Sequence, residues 1–288
     1  MILKTPNRPI WITGAGGLIG NYLVQLAPRF VPQFEAVALT RSKLDLLDSI
    51  AITRAFNAQK PTAIIHCAAL TKSPDCQANP ALARKVNVEV TARLAELAAD
   101  IPFIFFSTDL VFNGRKGNYV ATDAVEPLSV YAETKVAAEQ IVLTNPRHTV
   151  IRTSLNGGTS PTGDRGFNEQ MRRMWRAGQT LNLFKDEYRS PTPAEATARA
   201  TWELLLKNQT GVFHVAGAEK LSRAQIGEVL AARWPQLNPK FKVGSLKDYQ
   251  GARRSPDTSL NCAKAQAQLS FPLPGLISWL KENPEEIF

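Results

Sequence analysis

Tyr131 and Lys135 stand four residues apart in the run YAETK, residues 131–135. On a helix, positions i and i+4 share a face, so this spacing brings a phenol and an ammonium together. A tyrosine with its ordinary pKa near 10 is a poor acid–base group at neutral pH. A neighbouring cation favours the phenolate, so the pair reads as a proton donor and the cation that tunes it. Ser107 and Thr108, followed by Asp109, close an apolar run at 102–107 (PFIFFS). Hydroxyls at the carboxyl end of a central parallel strand face the crevice where ligands bind, and one there can hydrogen-bond a carbonyl oxygen. Each feature has a bland alternative. The Tyr–Lys spacing recurs by accident, and Ser107 and Thr108 could simply cap a turn.

A third feature points to an anion. Gly14, Gly17 and Gly20 are spaced GxxGxxG in TGAGGLIG, residues 13–20, with Ile19 at the last position of a strict GxGxxG. Small residues let the backbone approach a pyrophosphate, and a helix starting near Leu18 offers free N–H groups and a positive dipole end. About twenty residues on, an NAD site usually carries an acid for the ribose 2′-hydroxyl. Here the chain has Thr40, Arg41, Ser42 and Lys43. No carboxylate stands there to repel a 2′-phosphate, and a guanidinium is present to pair with one. The expected cofactor is NADP(H), with NAD(H) left open.

These residues need a scaffold that brings strand ends together. Short apolar runs at 9–13 (PIWIT), 34–39 (FEAVAL), 62–66 (TAIIH), 102–107 and 149–153 (TVIRT) alternate with helical patterns at 18–30, 48–59, 81–99 and 125–142. Asp48 is a plausible N-cap. The alternation predicts βαβ units and a parallel sheet, and the continuous apolar character of the runs predicts strands covered on both faces. After residue 154 the rhythm changes. A Gly/Pro/Ser/Thr-rich loop at 156–166 leads to helical patterns at 167–177, 193–207, 222–234 and 274–282, with one further strand at 211–215.

Composition narrows the class. The chain has 288 residues, 44% hydrophobic and 20% charged, which excludes a disordered or fibrous protein. No apolar run approaches the roughly 20 residues of a membrane helix, and the polar start at 1–9 does not resemble a secretory signal. Cys67, Cys76 and Cys262 form no CxxC pair, which fits a reducing, cytoplasmic compartment. Lys plus Arg number 34 against 25 acids, a net charge of +9. Nucleic acid, an anionic surface or an anionic small ligand could each explain that balance. No basic stretch interleaves with aromatics as in single-strand nucleic-acid binders, so a nucleic-acid partner is not expected. Arg172, Arg173 and Arg176, and the Arg253–Arg254 pair, read as solvated faces. His66, His148 and His214 lack metal-ligand spacing, so no metal is expected, and His66 reads as core. The oligomeric state stays open, a homodimer included.

Taken together, TGAGGLIG (13–20), LDLLD (44–48), HCAALT (66–71), VN (86–87), FFSTDLVFNG (105–114), YAETK (131–135), IRTS (151–154) and EYRSPTPAE (187–195) resemble an extended short-chain dehydrogenase/reductase. Within that group the chain is most similar to the dTDP-4-dehydrorhamnose reductase-like, sugar-nucleotide branch. The resemblance implies an α/β, Rossmann-type doubly wound parallel sheet over 1–154 and a smaller, mostly helical substrate lobe over 155–288, with 193–216 returning to the core. It implies Thr108, Tyr131 and Lys135 as catalytic residues. It places Gly14, Gly17, Leu18, Ile19, Gly20, Thr40, Arg41 and Ser107 at the cofactor, Asp45 and Leu46 near adenine, and Asn87 behind the lysine. Cys67, Ala68 and Ala69 stand where the family has NAA.

The implied activity is reduction of a ketone, foremost a 4-keto nucleotide sugar, with Tyr131 delivering the proton. An epimerase, a reductase of a non-nucleotide ketone and an NADP-binding regulatory subunit without turnover are the alternatives. A dehydratase is disfavoured, because Leu110 stands where that group carries a second acid. Substrate contacts are expected from Ser73, Asp75, Asp109, Leu155 and Arg189. Arg189 either pairs with a substrate diphosphate or is an ordinary exposed arginine.

Overall fold

The structure is a computed structural model describing residues 8–251 and 253–284. Each apolar run forms a strand: β1 (Pro9–Thr13), β2 (Glu35–Leu39), β3 (Ala63–His66), β4 (Phe103–Thr108) and β5 (Thr149–Thr153). With Gly211–His214 they make one six-stranded sheet, in which β2, β1, β3, β4, β5 and Gly211–His214 lie side by side. Every pairing is parallel. The chain leaves β1 toward β2 and then crosses back to β3, so the strand order reverses between β1 and β3. In open α/β sheets the ligand crevice opens at such a point, outside the carboxyl ends of the strands.

Both faces are covered, which is why the runs lack alternation. Ile10, Ile12, Ile65, Phe106 and Phe213 point to one layer. Trp11, Ile64, Phe103, Phe105 and Val150 point to the other. On the first face, α1 (Leu18–Phe30) packs on helix Ala194–Leu206, where Trp202 Nε1 donates to Leu23 O at 3.2 Å. The second face carries α2 (Ser49–Gln59), Val90–Leu97 and Val130–Val142. Asp48 caps α2 as expected, accepting from Ala51 N at 2.9 Å.

The region after β5 has its own apolar cluster around Phe167, Met171, Trp175, Ile226, Leu230 and Leu276, on helices Phe167–Arg176, Arg223–Arg233 and Leu276–Glu282. It is not purely helical. Thr180–Phe184 and Lys240–Gly244 pair as a parallel two-stranded ribbon.

Two helical expectations change in form. The pattern at 81–99 is not one helix. Pro80–Arg84 runs into a π-helical turn, Lys85–Glu89, before Val90–Leu97. The pattern at 125–142 forms a helix only over Val130–Val142, where Ser129 Oγ accepts from Ala132 N at 3.3 Å. Pro127 lies in the extended segment before that cap.

Candidate active site

The carboxyl ends of the strands open on a cavity of about 860 Å³. Gly14, Gly17, Leu18, Ile19, Gly20, Thr40, Arg41, Asp45, Leu46, Cys67, Ala68, Ala69, Ser107, Thr108, Tyr131, Lys135 and Leu155 all line it. The expected residues that do not line it are Ser73, Asp75, Asn87, Asp109 and Arg189.

At one end, the turn after β1 is built for close backbone approach. Gly14 has φ +67°, and a Cβ there would stand 2.6 Å from Ala68 N. A Cβ on Gly20 would stand 2.4 Å from Gly14 O. The N-cap of α1 is Gly17, so no side chain caps the helix, and its first residues, Leu18 to Gly20, line the cavity. An uncapped helix N-terminus behind a glycine turn is a ready anion site. Thr40 and exposed Arg41 line the same end.

At the other end stand the reacting groups. Thr108 ends β4 and lines the cavity beside Tyr131. Thr108 Oγ1 donates to Asp109 Oδ1 at 3.1 Å. Tyr131 lies in the first turn of helix Val130–Val142, and Lys135 lies one turn on. Lys135 is 3% exposed, with Nζ 3.9 Å from the centre of the Phe105 ring. Burial lowers its pKa to about 7, opposed by the nearby Glu139 carboxylate. Burial also pushes the Tyr131 phenol above its ordinary value, and the neighbouring Thr108 hydroxyl only partly offsets this. The expected depression of the tyrosine by the lysine is therefore not what dominates in this structure. Desolvation outweighs it, and the phenol is fully protonated at neutral pH, the form that donates a proton. The helix is tied to β5 by a buried bidentate pair, Arg152 Nε and Nη2 on Glu139 at 2.9 and 2.7 Å.

The remaining expectations resolve into supporting roles. Asn87, in the π-helical turn, accepts from Leu70 N at 2.8 Å and donates to Leu70 O and Thr134 Oγ1, each at 3.0 Å. Its amide clamps the loop after β3 to the helix carrying Tyr131 and has no reach into the cavity. π-Turns of this kind recur at functional sites. Ser73 and Asp75 sit on a short helix, Ser73–Ala78, and do not line the cavity. His66 is core: it is 1% exposed, bonded to Thr13 and Thr91, and burial lowers its pKa to about 3.

Asp109 is 4% exposed and takes hydrogen bonds at Oδ2 from Ser154 Oγ at 2.7 Å and Thr258 Oγ1 at 2.8 Å. Arg189 is neither free nor exposed. It is 5% exposed, its Nη2 donates to Glu187 Oε1 at 2.9 Å and its Nη1 to Ser255 O at 3.1 Å. Arg254 is exposed, as expected of a solvated residue, but it is not free: its Nε and Nη2 donate to Glu187 at 2.9 and 3.0 Å. Sequence reasoning missed Asn156, Arg165, Phe167, Gln170 and Arg223, which line the far wall. The start of a helix after a loop was the available signal for Phe167; nothing local marked Arg223. Among the described residues no His/Cys/Asp/Glu group could hold a metal ion.

A doubly wound parallel sheet, a glycine turn under an uncapped helix, and a Thr–Tyr–Lys set across the same cavity define an extended short-chain dehydrogenase/reductase. The chain belongs to the family of the RmlD substrate binding domain, whose profile matches residues 8–285. Among its relatives is a dTDP-4-keto-6-deoxy-D-glucose reductase from Streptomyces niveus, 31% identical over 212 residues that cover 72% of each chain. A methionine adenosyltransferase 2 subunit beta from Rattus norvegicus is 26% identical over 285 residues, 92% of this chain and 83% of its own. The crystal structure of a hypothetical dTDP-4-dehydrorhamnose reductase from Sulfolobus tokodaii superposes with a TM-score of 0.79 at 30% identity, covering 93% of this chain and 97% of that one.

Proposed function

We propose that the protein is an NADPH-dependent reductase of a nucleotide-sugar ketone. The observation that carries this reading is the shared cavity. The glycine turn and Arg41 lie at one end, Thr108, Tyr131 and Lys135 between, and a wall contributed by residues 155–223 opposite. The relatives named as reductases of dTDP-linked keto sugars support the substrate class. The described residues up to 154 supply the cofactor half and those from 155 onward the substrate half, with helix Ala194–Leu206 and strand Gly211–His214 built back into the first.

The residues present fit a dinucleotide. Glycine at 14 and 20 lets the turn fold tightly against Ala68 and on itself, which brings the N-terminal end of α1 to the cavity, and Ser107 Oγ, buried at the cavity wall, has no partner among the described residues. Thr40 and Arg41, with no acid beside them, suit a 2′-phosphate. When bound, NADPH supplies the hydride that reduces the ketone carbon. Thr108 hydrogen-bonds and orients the carbonyl, and Tyr131 delivers its proton to the oxygen as charge develops there. Lys135, one turn below, binds the nicotinamide ribose and offsets the phenolate left behind. Asn87 holds the loop and helix that frame this set. Three free cysteines and the absence, among the described residues, of any helix able to cross a membrane support placement in a reducing aqueous compartment.

The test uses dTDP-4-keto-6-deoxyglucose and NADPH deuterated at the transferable position. A reductase yields a sugar product one deuterium heavier, with stoichiometric loss of NADPH. An epimerase yields an isomer of unchanged mass and consumes no NADPH, which would refute the reading. The similarity to a subunit named for its place in methionine adenosyltransferase 2 favours a second reading, an NADP-binding regulatory subunit. Tight NADPH binding with no label transfer to any ketone would select that one.

A further inference from the structure

Arg189, the residue whose position next to Ser190-Pro191 suggested a diphosphate contact, is locked into the protein's interior. Its neighbourhood nevertheless carries an uncompensated cation. Three guanidiniums, Arg189, Arg223 and Arg254, stand near two carboxylates, Glu187 and Asp109. Glu187, 2% exposed, accepts from Arg189 and Arg254 together, and Asp109 Oδ2 lies 3.7 Å from Arg189 Nε. The nearby Lys220 and Asp257 neutralise each other at 2.6 Å. Two carboxylates against three guanidiniums leave one positive charge over.

That charge belongs to Arg223. Its backbone N–H donates to Glu187 O at 2.8 Å, which fixes it beside the cluster. Its side chain makes no hydrogen bond or ion pair among the described residues, although burial and the two neighbouring arginines lower its pKa to about 10. Alone among the five it lines the cavity. A partly buried guanidinium that lines a cavity with no acceptor of its own is placed to take an anion from the ligand. Because Arg223 lines the cavity together with Leu155, Phe167 and Gln170, on the wall supplied by residues after β5, the anion sits on the substrate side of the reacting carbonyl and not at the glycine turn. Arg165, on the same wall and paired with Asp164 at 3.2 Å, adds a second guanidinium.

We propose that Arg223, fixed beside Glu187 through its backbone and seconded by Arg165, grips the diphosphate of the nucleotide-sugar substrate. The assignment rests on the reductase reading for its substrate but can be tested without turnover. A guanidinium matches a phosphate oxygen pair bidentately, so Lys replaces it only in part.

The probe is dTDP, titrated calorimetrically against the protein saturated with NADP⁺, with thymidine and glucuronate as controls. Wild type binds dTDP and neither control. Arg223→Gln weakens dTDP binding about 10- to 100-fold, the range of a lost charge-assisted bond. Arg223→Lys recovers part of it, and both variants keep NADPH affinity within about twofold of wild type, which shows they are folded. In turnover, Arg223→Gln raises KM for the keto sugar by a like factor and changes kcat little. Unchanged dTDP affinity in Arg223→Gln overturns the proposal, as does wild type that binds glucuronate but not dTDP. If wild type binds dTDP through Arg223 yet reduces no ketone, the reductase reading fails and this assignment stands. If it reduces the keto sugar and Arg223→Gln does so with the same KM, the reverse holds.

Discussion

Gly20 and Gly16 lie in the same turn, and replacing each by alanine has opposite expected consequences. Gly20 is inside α1, where alanine normally stabilises by about 1 kcal/mol. Here a Cβ would meet Gly14 O at 2.4 Å, Gly14 C at 2.8 Å and Ala15 Cα at 3.0 Å. All three are backbone atoms, so no side chain can swing aside. Overpacking of this kind costs about 1–3 kcal/mol and here belongs at the upper end. After the gain in helix propensity, Gly20→Ala is destabilised by about 2 kcal/mol, a fall in Tm of about 4 °C at the 2 °C per kcal/mol of a chain this size. A Cβ on Gly16 finds its nearest neighbour, Thr40 Cγ2, at 3.9 Å, in ordinary contact. Gly16→Ala therefore unfolds within about 0.5 kcal/mol of wild type. Its methyl enters the cavity, so NADPH affinity falls by more than about tenfold, or 1.4 kcal/mol. Denaturant unfolding without cofactor, beside a fluorescence titration with NADPH, separates the two effects. A Gly20→Ala protein more stable than wild type would refute the packing argument. A Gly16→Ala protein with undiminished NADPH affinity would refute the turn as the phosphate site.

Three further outcomes follow from the same geometry. Glu187→Gln leaves Arg189, Arg223 and Arg254 facing Asp109 alone, and unfolding studies should show a loss of about 3–5 kcal/mol, the usual effect of removing one partner from a buried pair. Lys135 titrates near 7 when folded and near 10.5 when unfolded, so the unfolded chain holds more protons between those values and the stability deficit of burying it shrinks as pH rises. Measured between pH 7 and 9, before Cys67 contributes the opposite slope, stability rises with pH in wild type relative to Lys135→Met; parallel curves would contradict the buried ammonium. Arg41→Ala should weaken NADPH at least about tenfold while leaving NADH nearly unchanged, and equal losses for both cofactors would remove Arg41 as the 2′-phosphate partner.

The sheet was legible because strands buried on both faces leave uninterrupted apolar runs, and β1 and β5 fall on the expected residues. The glycine turn and the Thr108, Tyr131 and Lys135 set were legible because their chemistry is local. Features set by distant partners were not. Ala-rich periodicity at 81–99 gives no hint that Asn87 turns inward to Leu70 and Thr134, which accompanies the π-turn. The ribbon strand Thr180–Phe184 does carry an alternating burial signature, overlooked beside the helical patterns around it. The sequence offered Arg189 as a diphosphate partner or an exposed arginine and Arg254 as a solvated one, and showed no ion pair for Arg254, because Glu187, which pairs both, is 67 residues from it. Whether an arginine is free or bound depends on which acid the fold brings to it, and that is why Arg223 escaped notice.

The central claim is that Tyr131 gives the proton in a ketone reduction driven by NADPH. Its most direct test is NADPH consumption with dTDP-4-keto-6-deoxyglucose by wild type and Tyr131→Phe, with NADPH affinity measured on both. The account predicts turnover by wild type, a loss of about 10²–10⁴-fold in kcat for Tyr131→Phe, and matching cofactor affinities. Equal kcat values for the two proteins would contradict it.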